Sequence, residues 1–198
     1  MLQSGVAQAN ATENDGWKMV SSKDQGQVWT RKVEGSKIRE VKLVATINAP
    51  INQVWKTISQ VQHYTDFMPY IEEIEVVEQA SVNKAYVYHR VDPPLVSHRD
   101  YTLLIEDEID VEAHKYYRHW SQYNSKGPDA IKGVVRLDIC DGSWTLTQAE
   151  DGKTQAVYWV YTDPGGRIPN WLANKVNKSA LYDVLFAIEK RALDLSWQ

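Results

Sequence analysis

The chain has 198 residues, a net charge of −4 and 24% charged residues, long enough for one domain with a sizeable core and too ordinary in charge for a disordered chain. The acidic balance argues against a dedicated nucleic-acid binder, whose footprint is basic. The single cysteine, Cys140, excludes an internal disulfide or a cysteine-based metal cluster, and no apolar run approaches the ~20 residues that span a bilayer.

Residues 1–14 are small, polar and aperiodic. They read either as a disordered tail or as the remnant of an export signal, because Ala9-Asn10-Ala11 has the small-x-small form of a signal-peptidase site while a basic start and an apolar core are missing. The compartment therefore stays open, cytoplasmic in the first reading and periplasmic or secreted in the second. Residues 15–198 read as the domain.

A short strand is expected at 27–34, then a long one from about Ile38. Along it Arg39, Val41, Leu43, Ala45 and Ile47 share one face, the period of two of a half-buried antiparallel strand. Asn48-Ala49-Pro50 ends it, with Pro50 suited to the first position of a helix. Val54, Trp55, Ile58 and Val61 make that helix's apolar stripe, and 63–70 reads as a second short helix. A β-block follows. The segments 71–79 and 84–91 form a hairpin, Asp92-Pro93-Pro94 breaks the chain, and 99–109 pairs with 114–123. The segment 134–147 reads as one strand, bent by a turn or bulge at Asp141-Gly142. Asp151-Gly152 then turns it into 154–162.

The last segment is the most informative. Asp163-Pro164-Gly165-Gly166 breaks the chain and opens a helix of roughly 28 residues, about 42 Å at ~1.5 Å per residue. Its apolar positions include Ile168, Leu172, Val176, Ala180, Leu181, Val184, Leu185, Ile188 and Ala192, a single amphipathic stripe. A helix that long needs a large curved sheet to lie across, and a curved sheet closed by one helix can enclose a cavity. The layout is α+β: a curved antiparallel sheet of seven or eight strands wrapped around a long C-terminal helix, with two short helices after the first long strand.

Eight Trp and eleven Tyr stand against two Phe, a balance that suits half-wet walls because these rings carry a polar handle. No phosphate loop, Gly-x-Ser-x-Gly elbow or His-Glu-x-x-His spacing is present. The acidic run Glu106, Asp107, Glu108, Asp110, Glu112 reads as a solvated strand end. Arg99 and Asp100 point to opposite faces and are expected to pair across strands, and an inward Arg99 calls for a carboxylate partner. The 84–91, 114–123 and 154–162 strands mix apolar, aromatic and a few polar groups on each face. That composition fits a pocket with a few fixing groups, and it also fits a plain amphipathic sheet. The candidate ligand-binding residues are Tyr88, His89, Arg99, Arg118, Trp120, Tyr158, Trp171 and Val184, with Trp171 as a gate or a core filler.

Five local motifs, in order, carry a resemblance: Asp15-Gly16-Trp17; Ala49-Pro50 with Val54-Trp55; Ser97-His98-Arg99-Asp100-Tyr101; Gly142-Ser143-Trp144-Thr145-Leu146; and Asp163-Pro164-Gly165-Gly166 through Trp171-Leu172-Ala173-Asn174. Their order and spacing over nearly the whole chain resemble the StAR-related lipid-transfer (START) domain family of the helix-grip, Bet v 1-like superfamily, in its single-domain bacterial form. The resemblance implies a helix-grip fold and a carrier or sensor of a hydrophobic small molecule, most readily a lipid. It implies no cofactor and no nucleic acid, with transient membrane contact and a monomeric state. Relatives on this fold also include cyclases, aromatases and hydrolases, so an enzyme working in the same cavity is the alternative, and an interaction module with a filled interior is a third.

Overall fold

The computed structural model of the chain describes residues 15–166, 168, 170–194 and 196, with backbone alone for 170–179. The stretch 1–14, with its two readings, lies outside the described residues. One sheet of ten strands carries the fold. In chain order they are β1 (Lys18–Lys23), β2 (Gly26–Lys32), β3 (Arg39–Ile47), β4 (Ile71–Ser81), β5 (Lys84–Val91), β6 (Arg99–Asp110), β7 (Lys115–Gln122), β8 (Val135–Arg136), β9 (Cys140–Gln148) and β10 (Thr154–Thr162). Between β3 and β4 come α1 (Ile51–Ser59), a 3-10 turn at Val61–His63 and α2 (Tyr64–Phe67); α3 (Asn170–Ala192) ends the fold.

The strands lie in the order β1-β2-β3-β10-β9-β7-β6-β5-β4, antiparallel throughout, and β8 pairs with β6 in parallel. The sheet is larger than the seven or eight strands expected. β1 escaped notice because its residues are mostly exposed and show no alternation. The segment 134–147, expected as one strand, is two: β8 is two residues long and pairs with β6, and β9 starts afresh at Cys140 beside β7 and β10.

Local chemistry sets the other boundaries. Val41, Leu43, Ala45 and Ile47 of β3 are buried as their alternation requires. Pro50 caps α1 rather than opening it, with ψ at 144°, and Ile51, Val54, Thr57 and Ile58 form the buried face. The second helix is a 3-10 turn followed by a single α turn. It stops where Met68 turns extended (φ −71°, ψ 132°), as a residue preceding proline must. Neither the expected turn nor a bulge interrupts the strand at Asp141-Gly142. Both residues sit inside β9 and pair with Tyr161 and Val160 of β10, and Gly142 also faces Trp120 of β7. Glycine is needed there for close approach: a Cβ would lie 2.2 Å from Trp120 Cζ2 and 2.7 Å from the Trp159 carbonyl.

α3 spans 23 residues, about 35 Å, and is shorter than the periodicity predicts because Leu193 and Asp194 already leave the helix. Leu181, Leu185, Ile188 and Ala192 are buried along it at intervals of three and four. They pack with the inner faces of β2, β3, β9 and β10 and with α1. Polar ties fix its position. Tyr70 donates a hydrogen bond to Asp183 at 2.8 Å, Tyr182 donates to the Gly26 carbonyl at 3.2 Å, and Asn48 donates from backbone and side chain to Glu189 at 3.1 and 3.2 Å.

Replacing Gly142 with alanine should press on the Trp120 ring and destabilise the fold by about 1–3 kcal/mol, the usual cost of overpacking. Urea denaturation checks this, and an unchanged midpoint would mean that the ring moves freely.

Candidate functional site

A cavity of about 290 Å³ lies between the sheet and α3. Three adjacent strands build most of one wall. On β6 the alternation brings Arg99, Tyr101, Leu103 and Ile105 to the cavity. β5 adds His89 and Val91, and β7 adds Arg118 and Trp120. Trp144 and Tyr158 stack face to face on β9 and β10, with centroids 4.2 Å apart and planes 8° apart, an arrangement worth about 0.5–1.5 kcal/mol beyond burial. Met68 and Ile71 close one side, and Ala180 and Val184 of α3 close another. The small α3 residues leave the space unfilled. A larger and more open groove adjoins the cavity and shares Tyr70, Pro93, Val96, Arg99 and Ile168 with it. Arg99 therefore stands where the cavity meets the outside.

Six of the eight candidate residues line this cavity: His89, Arg99, Arg118, Trp120, Tyr158 and Val184. Tyr88 does not. It follows the alternation of β5 to the opposite face, where its hydroxyl donates to Asp100 at 3.3 Å. Burial and the neighbouring Asp100 carboxylate push its hydroxyl up to about 12. It is only 2% exposed because the segment after β7 folds over this outer face. Arg136 grips Asp100 with two bonds of 3.1 and 2.7 Å. Asn124 accepts from the Thr102 amide at 2.9 Å and donates to the Leu137 carbonyl at 2.7 Å. The side chain of Trp171 lies outside the described residues. Tyr64, Tyr101, Cys140 and Trp144 also line the cavity and were not among the candidates. For Tyr101 a signal existed, since the period of two places it beside Arg99.

The polar groups differ in how they are held. Arg118 is locked. Its guanidinium donates twice to Asp107 at 2.7 Å each and once to the Ile58 carbonyl at 2.6 Å. Burial works against its charge, but the Asp107 bonds and the nearby Tyr64 outweigh this and raise its pKa. Asp107 thus leaves the acidic run expected to be solvated and turns inward as a counter-ion. Arg99 has no carboxylate within 4 Å among the described residues, against expectation. It donates to two backbone carbonyls instead, Pro164 at 3.1 Å from Nε and Ser97 from Nη1. Burial lowers its pKa.

His89 is 4% exposed and stacks on Tyr101 with centroids 5.1 Å apart. Its Nδ1 lies 3.2 Å from the Val87 carbonyl, which requires the proton on Nδ1. Burial drives its pKa down to about 4, the bond to Val87 opposes the drop, and the charge of Arg118 adds to it. Burial likewise pushes the Cys140 thiol up to about 12, so it is a poor nucleophile at neutral pH. At pH 7 the cavity is therefore an apolar and aromatic chamber with a neutral histidine, a neutralised arginine inside and, at its mouth, one arginine without a counter-ion among the described residues.

The comparisons agree with this geometry. A family model described as polyketide cyclase / dehydrase and lipid transport matches residues 47–189. An uncharacterized protein of Pseudomonas aeruginosa is 29% identical over 189 residues, covering 95% of this chain and 91% of that protein. The STAR-related lipid transfer protein of Xanthomonas axonopodis superposes with a TM-score of 0.80 at 24% identity, over 91% of this chain and 100% of that one. Human StAR-related lipid transfer protein 5 superposes with a TM-score of 0.83 at 14% identity, over 90% and 87%. At these identities the two structures establish the helix-grip fold of START domains.

Two outcomes follow from the buried charges. Asp107→Ala leaves the Arg118 cation buried without a partner and should cost about 3–5 kcal/mol in urea unfolding. His89 has a folded pKa below its unfolded value, so the unfolded state takes up its proton first as the pH falls. Stability should then drop between about pH 6.5 and pH 4 by on the order of 3 kcal/mol and level off below. His89→Gln should remove that part of the slope, which unfolding curves across this range would reveal.

Proposed function

Because the chain belongs to the polyketide cyclase / dehydrase and lipid transport family, we propose that it binds one hydrophobic small molecule, most readily a lipid, in the cavity under α3, and carries or senses it. The observation that carries this reading is the cavity's lining: apolar and aromatic walls, with Ala180 and Val184 as the only α3 side chains facing it among the described residues. The driving force is transfer from water. Each methylene withdrawn is worth ~0.8 kcal/mol, so a chain of ~16 carbons costs on the order of 13 kcal/mol to carry exposed. A dry chamber removes most of that cost.

Entry requires the start of α3 and the preceding loop to move. Gly165 and Gly166, at φ 62° and 69°, occupy a conformation that glycine adopts without strain, and they are the natural place for the chain to swing. In this reading the protein works as a monomer and exchanges its ligand during transient membrane contact.

The alternative is a cyclase/aromatase- or hydrolase-like enzyme acting on a hydrophobic substrate in the same cavity. The family's own description includes cyclases. Its best candidate base is His89 Nε2, which has no partner among the described residues. A pKa of about 4 makes that nitrogen a weak proton acceptor at pH 7, and this favours the carrier.

Native mass spectrometry of the purified protein should find an added mass that organic extraction removes and that matches an unmodified lipid; a chemically converted product would favour the enzyme, and protein free of any ligand would count against both. Val184→Trp should fill the chamber and weaken binding of a fluorescent single-chain lipid by about tenfold or more, with thermal unfolding still cooperative. Undiminished binding would place the ligand elsewhere.

A further inference from the structure

Only two arginines are fully buried among the described residues, Arg99 at 4% exposure and Arg118 at 6%. Arg118 has a bidentate carboxylate. Arg99 has none, although the other arginine in the same strand neighbourhood, Arg136, takes Asp100. Its Nε and Nη1 are used by backbone carbonyls. Its Nη2 has no partner among the described residues. The glycine opposite leaves it open, since a Cβ at Gly166 would stand 3.8 Å from Nη2. Nη2 is thus open to the cavity mouth, and an anion brought to it forms a charge-assisted bond stronger than a neutral one.

The surroundings narrow what that anion is. Arg99 lines both the cavity and the outer groove, so an anion on Nη2 can remain attached to a chain lying in the cavity. The free donors, two on Nη2 and one on Nη1, form an edge that suits one planar carboxylate. Asp92 on the groove's rim disfavours a second negative charge. The cavity, at about 290 Å³, sits at the low end of the ~300–1,000 Å³ of ligand pockets, which favours one slender chain inside it, with the larger open groove of about 940 Å³ outside Arg99. Resting on the carrier reading above, we propose that the ligand is a single-chain amphiphile ending in a carboxylate, with its chain in the cavity and its carboxylate on Arg99 Nη2.

Trp120 and Trp144 line the chamber, so tryptophan emission of the full chain reports binding. Three probes with one chain length separate the possibilities: hexadecanoate, hexadecanol and hexadecyl phosphate, at about pH 8, where a carboxylate is ionised and His89 is neutral. Hexadecanoate should bind at least about tenfold more tightly than hexadecanol. Arg99→Gln should abolish the preference for hexadecanoate over hexadecanol, and Arg99→Lys should keep part of it. Equal binding of acid and alcohol by the wild-type protein overturns the anion site and leaves the carrier reading standing. Tighter binding of the phosphate than of the carboxylate overturns the choice of head group. Binding of none of the three overturns both. Should Arg99→Gln not fold, the wild-type acid–alcohol ratio and the lysine variant decide.

Discussion

The Ile58 carbonyl, near the C-terminal end of α1, accepts two hydrogen bonds, from Tyr64 and from Arg118, each at 2.6 Å. Carbonyls in a helix's last turn lack partners within the helix and carry its negative pole. A cation from β7 and a hydroxyl from α2 supply what is missing. Arg118 is itself held by Asp107 of the neighbouring strand. One small cluster thus joins α1, the turn into α2 and the β6–β7 pair, and it forms the inner end of the chamber. Together with the apolar packing of Ile51, Val54 and Ile58 into the core, it sets the height of the short helices above the sheet.

The chamber stays open for a reason of size. Large rings line the strands, Trp120 across Gly142 and Trp144 on Tyr158, while among its described side chains α3 presents Ala180 and Val184. The same helix presents Leu181, Leu185 and Ile188 to the core beside the chamber. Neighbouring stripes on one helix therefore do opposite things: one fills, the other leaves room. Tyrosine and tryptophan suit the strand walls because they cover area while their polar tips find partners or water.

Charge placement divides the two faces of the sheet. The inner face carries a neutralised arginine, a histidine that burial keeps uncharged and, at its mouth, Arg99. The outer face carries Asp100 with Arg136 and Tyr88, sealed under the segment that follows β7. Arg99 and Asp100 are chain neighbours, yet each belongs to a different network because successive side chains of a strand point apart. That separation leaves Arg99, among the described residues, without the carboxylate that a buried arginine ordinarily has.

The sequence alone determined what depends on local periodicity. The alternation in β3, β5 and β10, the stripe of α3 and the break at Asp163–Gly166 set the element order, the helix-grip layout and most of the wall. His89, Trp120, Tyr158 and Val184 stood among the candidates, but so did Tyr88 from the opposite face of β5, because the pattern along these strands does not say which face is inward. Tertiary structure decided the rest, since those outcomes depend on which distant segment covers a face. Tyr88 reads as a wall residue until the segment after β7 buries the other side of the sheet. Asp107 reads as solvated until Arg118 comes beside it. Gly142 reads as a bend until a ring 22 residues earlier in the chain lies over it. Each of these is a contact between residues far apart in sequence, and the pattern along one strand holds no record of its partner.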